Sequence, residues 1–157
     1  MSHPRGSSVP ISAQFSKYEL RVRRSKIHRW GLFALEPIPR GRKVIEYTGE
    51  RLNLKQADQR FRRNIRRGNL RANDYFARLT RGCVIDGTKS ESGAQFVNHS
   101  CDPNVSIRRL RGHLLLFSRR RIRRGEELLS DYAYSRDVPK SPCRCGSPKC
   151  RGFMNRA

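Results

Sequence analysis

At 157 residues the chain is long enough for one modest core and too short for two independent ones. Its 35 basic residues against 13 acidic ones leave a formal charge of +22, a field that draws polyanions, nucleic acid first among them. The strongest apolar run, Leu114-Leu115-Leu116-Phe117, is far too short to span a bilayer, and five cysteines, an odd number, argue against a simple disulfide framework.

Residues 1–16 mix Ser, Pro and Gly with few apolar groups, so a disordered N-terminal arm is expected there. The first eight residues lack the apolar stretch of a secretory signal, which points to an intracellular protein, cytoplasmic or associated with the nucleus or nucleoid. Alternation at Tyr18, Leu20 and Val22 marks a first strand. Leu32–Leu35 and Lys43–Gly49 follow as short strands, separated by a turn around Pro37, Pro39 and Gly41. Leu54, Ala57, Phe61 and Ile65 recur at helical spacing, predicting a helix over 54–67 that Gly68-Asn69 stops.

Strands then return at Tyr75–Leu79, Cys83–Asp86, Val105–Leu110 and His113–Ser118, with Arg111-Gly112 as a hairpin turn between the last two. A faint internal echo links Ile38-Pro39-Arg40-Gly41 with Ile122-Arg123-Arg124-Gly125, one glycine turn used twice to feed a buried strand. Many short strands and one short helix predict a mainly β fold of several small curved sheets rather than a doubly wound α/β sheet.

Two arginine blocks stand out: Arg60, Arg62, Arg63, Arg66, Arg67 and Arg71, then Arg119, Arg120, Arg121, Arg123 and Arg124. Nonspecific nucleic-acid contact is one reading; a codon bias that merely decorates a solvated surface is the other. No aromatic residues interleave the blocks, so base stacking is not expected. Cys143, Cys145 and Cys150 crowd into eight residues, a cluster that binds metal more often than it forms bridges in a reducing compartment. Cys83, inside an apolar strand, reads as a small buried hydrophobe.

The run Phe96-Val97-Asn98-His99-Ser100-Cys101-Asp102-Pro103-Asn104, then Gly125-Glu126-Glu127-Leu128-Leu129-Ser130-Asp131-Tyr132, then Cys143-x-Cys145-x4-Cys150, carries a resemblance. In this order and spacing the motifs resemble the SET-domain protein lysine methyltransferases with a zinc-binding post-SET tail, over roughly Tyr18 to Asn155. The resemblance implies a SET fold with a threaded, knot-like segment, a SET domain over 17–135 and a post-SET tail over 136–157. It implies S-adenosylmethionine as methyl donor, held by Arg29, Trp30, Gly31, Tyr75, Asn98 and His99. Tyr132 takes the position of the family's catalytic tyrosine, and Tyr47 that of a second tyrosine lining the lysine channel. One structural zinc ion is implied, with Cys101 as fourth ligand beside Cys143, Cys145 and Cys150. Asp131 and Glu127 read as braces, and Phe153 as part of the channel wall. Two positions depart from the pattern: Gln95 stands where many relatives carry Arg, and Ser130 where they carry Phe or Tyr.

Lysine has a reference pKa of about 10.4, so freeing the neutral amine near pH 7 costs roughly 4 kcal/mol. Such a site needs desolvation and orienting oxygens rather than a strong carboxylate base. The expected partner is a lysine-containing protein, with a basic tail of a DNA-packaging protein (a histone) as the substrate the family suggests. The chain's own charge repels such a tail unless Glu46, Glu50 and Asp74 relieve it locally. The rival readings are a nucleic-acid or chromatin binding module with little turnover, and a methyltransferase of a ribosome-associated protein.

Overall fold

A computed structural model gives the structure of residues 9–69 and 75–156. Eleven short strands and one α-helix are described: β1 (Val9–Pro10), β2 (Leu20–Arg24), β3 (Trp30–Ala34), β4 (Lys43–Tyr47), β5 (Glu50–Asn53), α1 (Leu54–Arg66), β6 (Phe76–Arg78), β7 (Cys83–Asp86), β8 (Asn98–His99), β9 (Val105–Leu110), β10 (His113–Ser118) and β11 (Leu129–Ser130). They form four small sheets, ordered β1-β2-β3, β4-β10-β9, β5-β7-β6 and β11-β8. The mainly β architecture expected from the sequence is the one observed.

Alternation sets the main core. Leu20 and Val22 of β2, Leu32 and Ala34 of β3, and Val44 and Ile45 of β4 are all buried, and they meet Leu116, Ile122 and Leu128 in one cluster. The expected disorder of 1–16 is corrected over its second half. Val9–Pro10 pairs antiparallel with β2, the Ile11 N–H donates to the Leu20 carbonyl at 3.0 Å, and Ile11 and Phe15 pack on the core. Two apolar side chains with a core surface within reach, together with the edge pairing, outweigh the polar composition around them. Residues 1–8 lie outside the described residues, as do Arg71 and Asp74.

Helix α1 starts at a capping box: the Asn53 side chain accepts the Gln56 N–H, and the Gln56 side chain accepts the Asn53 N–H, both at 2.9 Å. Only Ala57 of its apolar stripe is buried, against Leu52, Val84 and Phe76; Leu54, Phe61 and Ile65 stay exposed. Arg60 fastens the helix to the sheet, reaching Glu50 at 2.6 Å and buried Asp86 at 2.8 Å. The hairpin β9–β10 turns at Arg111 and Gly112, with φ of 48° and 79°, the left-handed pair a two-residue turn requires.

The echo motif proves to be a structural pair. Ile38 and Ile122 bridge antiparallel, each N–H donating to the other's carbonyl at 2.9 Å. The pattern repeats outward: Gly41 N–H to Ser118 carbonyl matches Gly125 N–H to Ala34 carbonyl, and Ser118 N–H to Arg42 carbonyl matches Ala34 N–H to Glu126 carbonyl. Residues 34–42 and 118–126 therefore sit about a local pseudo-dyad.

A parallel two-residue ladder, Asn98 with Leu129 and His99 with Ser130, carries the site. It is held by buried Asn98, whose amide donates to the Trp30 carbonyl at 2.9 Å and to Glu127 Oε1 at 2.7 Å. Glu127 also accepts from the Ser25 hydroxyl at 3.0 Å. Its carboxylate fills the space a Cβ on Gly31 would need, with Oε1 only 2.2 Å from that point and the Phe33 ring 3.1 Å away. Gly31→Ala is thus expected to displace Glu127 and break both bonds, costing about 2–4 kcal/mol in a denaturant titration. Gly41→Ala meets nothing within 4 Å, although its φ of 78° strains any side chain; it is expected to cost about 1 kcal/mol.

Candidate active site

Asn98 and His99 emerge from the β8–β11 ladder at a cavity of about 190 Å³. The loop before β3 lines it with Ile27 and His28, the segment after β11 with Tyr132 and Tyr134, and the C-terminal segment with Pro142, Cys143, Arg144, Cys145 and Met154. Apolar walls, two polar side chains from β8 and a cationic rim from Arg144 suit an amphipathic, partly charged ligand of nucleoside size.

His99 is 4% exposed, and burial lowers its pKa, with Asp131 opposing and Arg151 adding to the shift. Its Nδ1 accepts the Tyr132 N–H at 3.1 Å, which puts the ring proton on Nε2, 3.4 Å from Cys101 Sγ. This buried histidine therefore fixes the backbone of Tyr132, and its ring lies edge-on to the Tyr132 ring at 5.3 Å. The Tyr132 hydroxyl donates to the Val97 carbonyl at 3.1 Å. Ala133 takes φ 47°, and beyond it Tyr134 lies 5.7 Å from Tyr132, ring to ring.

Tyr47 approaches from β4 and donates to the Tyr75 carbonyl at 2.6 Å. Its hydroxyl lies 2.7 Å from where a Cβ on Gly87 would stand, so glycine there admits the ring. Burial raises the Tyr47 pKa, with Tyr132, Asp86, Tyr75 and Tyr134 pushing the same way, so its phenol stays neutral. Those neighbours show four tyrosines, Tyr47, Tyr75, Tyr132 and Tyr134, in one electrostatic group. Tyr75 adds an edge-to-face contact with Phe96 at 6.3 Å.

The structure brings Asn98, His99 and Tyr132 together on the cavity wall and sets Tyr47 and Tyr75 behind them. From the loop before β3 it is Ile27 and His28 that line the cavity. Arg29 bends the chain at φ 37°, Trp30 lends its carbonyl to Asn98 and stacks under Arg24 at 4.8 Å, and Gly31 seats Glu127. Gln95 braces the neighbouring loop through the Ser90 carbonyl at 2.6 Å. The acidic residues expected to relieve the charge are engaged: Glu46 with His113 at 2.7 Å and Glu50 with Arg60.

Sequence reasoning passed over Tyr134, His28 and Arg151. Tyr134 had a signal, a second aromatic two residues beyond Tyr132, while the other two had none. Arg151 forms a bidentate pair with Asp131, Nη1 to Oδ2 at 2.8 Å and Nη2 to Oδ1 at 2.9 Å. Burial alone would raise the Asp131 pKa; Arg151, the Ala133 N–H and His99 together outweigh it and hold the carboxyl below its usual range.

Arg151 also donates its backbone N–H to Cys101 Sγ at 3.4 Å. Cys101, Cys143, Cys145 and Cys150 place their four sulfurs within 4.8 Å of one another, Cys101 and Cys143 at 3.7 Å. A tetrahedral zinc with bonds of about 2.3 Å spaces its sulfurs at about 3.8 Å, so the residues fit that ion. Burial pushes the Cys143 thiol up to about 12, while at Cys145 burial is outweighed by hydrogen bonds from its neighbours, which bring it down to about 6; four thiolates at this spacing repel one another and are stable together only around a cation. Cys83 stands outside the cluster.

The SET domain family model matches residues 29–133. An H3 lysine-4 specific histone-lysine N-methyltransferase of Schizosaccharomyces pombe is 38% identical over 143 residues, covering 88% of this chain and 15% of that protein. The enzyme of the same description from Saccharomyces cerevisiae is 39% identical over 139 residues, 84% of this chain and 13% of its own length. Human histone-lysine N-methyltransferase SETD1A is 37% identical over 146 residues, 90% of this chain and 8% of that protein. The chain thus spans a small part of these relatives' length. A site built on Asn98, His99 and the tyrosine cluster, within a fold of small sheets matched across 29–133, shows that this chain belongs to the SET domain family.

Proposed function

We propose that this chain is a protein-lysine N-methyltransferase that takes its methyl group from S-adenosylmethionine and acts on a lysine of histone H3. The observation that carries the reading is the meeting of Asn98, His99 and Tyr132 on one cavity, with three more tyrosines, Tyr47, Tyr75 and Tyr134, close by. The relatives' H3 lysine-4 specificity supports the substrate, which in turn implies a nuclear setting. No described helix is long and apolar enough to cross a membrane.

When bound, S-adenosylmethionine supplies an electrophilic methyl group on a sulfonium. The residues present supply the rest. Asn98 and His99 would hold the donor, with Ile27, Pro142 and Met154 excluding water around it. Neutral Tyr47 and Tyr132, their hydroxyl protons committed to the Tyr75 and Val97 carbonyls, turn oxygen lone pairs to the amine. These acceptors align the nucleophile for in-line attack, while the closed surroundings favour its uncharged form. The His99 contact to the Tyr132 N–H keeps that hydroxyl in register with the donor.

The four cysteines would hold zinc as a structural ion, all four positions being taken by protein. Coordination by Cys101 together with Cys143, Cys145 and Cys150 would tie the C-terminal segment, and with it Pro142, Arg144 and Met154, over the cavity. Asn155 secures the same segment, accepting the Ser141 N–H at 2.9 Å and donating to the Ser135 carbonyl at 2.8 Å.

With methyl-labelled donor and core histones, the zinc-loaded protein is expected to place label on a lysine of H3. Tyr132→Phe removes one hydroxyl and one hydrogen bond, so transfer should fall about 100-fold or more while stability drops by only about 1 kcal/mol. Label equal to wild type in that variant sinks the assigned role of Tyr132. Metal analysis is expected to find one zinc per chain in wild type and Cys83→Ser, and none retained in Cys143→Ser. Chelation is expected to abolish both donor binding and transfer; unchanged donor affinity after zinc loss contradicts the roofing role of the tail.

A further inference from the structure

The arginine runs that stand out in the sequence are partly answered by acid in the fold. Arg60 is held by Glu50 and Asp86, Arg62 by Asp58, and Arg120 by Glu126, which also accepts the Arg123 N–H. A third group gathers at the β9–β10 turn from separate strands. Arg51 of β5 donates from Nη2 to the Gly112 carbonyl at 2.6 Å, and Arg109 of β9 from Nε to the Arg78 carbonyl at 3.0 Å. Arg78 itself reaches the Arg81 carbonyl at 3.5 Å. Arg111 occupies the turn, and Arg108 lies 4.5 Å over the Phe117 ring. All six are exposed. None of their nitrogens has a carboxylate oxygen within 4.0 Å among the described residues; Glu46, near the turn, is taken by His113.

A guanidinium tethered to a neutral carbonyl loses side-chain freedom and keeps its full charge, which pre-organises it for an anion. Three guanidinia so tethered, Arg51, Arg78 and Arg109, gather with Arg81, Arg108 and Arg111 around the edge strand β9 and its turn and repel one another, an arrangement that a polyanion relieves. The one aromatic ring beside them is covered by Arg108, so nothing offers bases a stacking surface, and Leu110 alone is a weak wedge for a lipid surface. Contacts of this kind position phosphates and carry no sequence information.

We infer that the face formed by Arg51, Arg78, Arg81, Arg108, Arg109 and Arg111 binds the phosphate backbone of duplex DNA without reading its sequence. It adjoins the tyrosine cluster, because Leu114, just past the turn, pairs with Tyr47 across β10 and β4. Bound DNA there offsets the repulsion between a chain of charge +22 and a basic tail. The binding needs no methyl transfer, so it stands or falls apart from the proposed reaction.

The test is fluorescence anisotropy of a labelled mixed-sequence duplex of about 20 base pairs, without methyl donor, from 50 to 200 mM salt. Wild type is expected to bind with a log–log salt slope of about −4, the release of four to five counterions. Arg81→Glu/Arg108→Glu/Arg111→Glu leaves the carbonyl-bonded Arg51 and Arg109 in place; it should bind about tenfold or more weakly, with the slope shallower by about 3. Arg63→Glu/Arg66→Glu/Arg67→Glu removes equal charge from α1 and should weaken binding by less than about threefold. The Gln triple at 81, 108 and 111, which keeps stems over Phe117, should give the same ranking if the Glu variant does not fold. Equal loss in the two charge-reversal variants overturns the assignment in favour of a diffuse field. So does an absence of wild-type binding, or tighter binding to phosphatidylserine vesicles than to the duplex.

Discussion

One buried amide holds the candidate site in place. The Asn98 side chain ties three stretches of chain that are distant in sequence: its own strand β8, the Trp30 carbonyl of β3 and the Glu127 carboxylate ahead of β11. Glu127 in turn occupies the space left by the missing side chain of Gly31. A partly buried carboxylate is tolerated because it accepts from both Asn98 and Ser25. With that bond in place the parallel ladder aligns and His99 meets the Tyr132 N–H. Without it, a ladder of two residue pairs has too few hydrogen bonds to fix its own register.

A second constraint comes from the C-terminal segment. The bidentate Arg151–Asp131 pair and the four sulfurs bind that segment to Asp131, just before Tyr132, and to Cys101, two residues past His99. The ion pair sits at a partly exposed position, so its value lies more in orientation than in stability. The cavity and the four-cysteine cluster share Cys143 and Cys145 as common wall, which would make metal binding part of building the site.

The strands that alternate strongly or end at a clear turn were legible in the sequence: β7, β9 and β10 fall where the pattern puts them, as does the start of α1. The fourth cysteine and the Asn98-His99 pair were legible through motif order. Other features left no local trace. β5 is built from Glu50, Arg51, Leu52 and Asn53, a polar run stabilised by pairing with β7 rather than by its own propensity. The first strand, Val9–Pro10, hid inside an arm of polar composition because one edge pairing and a few core contacts decide its order. The ladder β8–β11 is too short to show a period. The basic face at the β9–β10 turn draws from three strands and two turns, so no window of sequence contains it, whereas the blocks that a window does contain are partly neutralised by acids from elsewhere.

The pseudo-dyad between 34–42 and 118–126 bears on how the chain folds. Its hydrogen bonds join residues 76 apart, as between Arg42 and Ser118, and its two isoleucines sit at the centre of the largest core cluster. Contacts of such separation come late, because loop closure must be completed before the core rewards it. On the ribosome the first third of the chain therefore emerges without the strand and turn that close its core. Its apolar faces at β2, β3 and β4 stay open to other chains until residue 126 has cleared the exit tunnel.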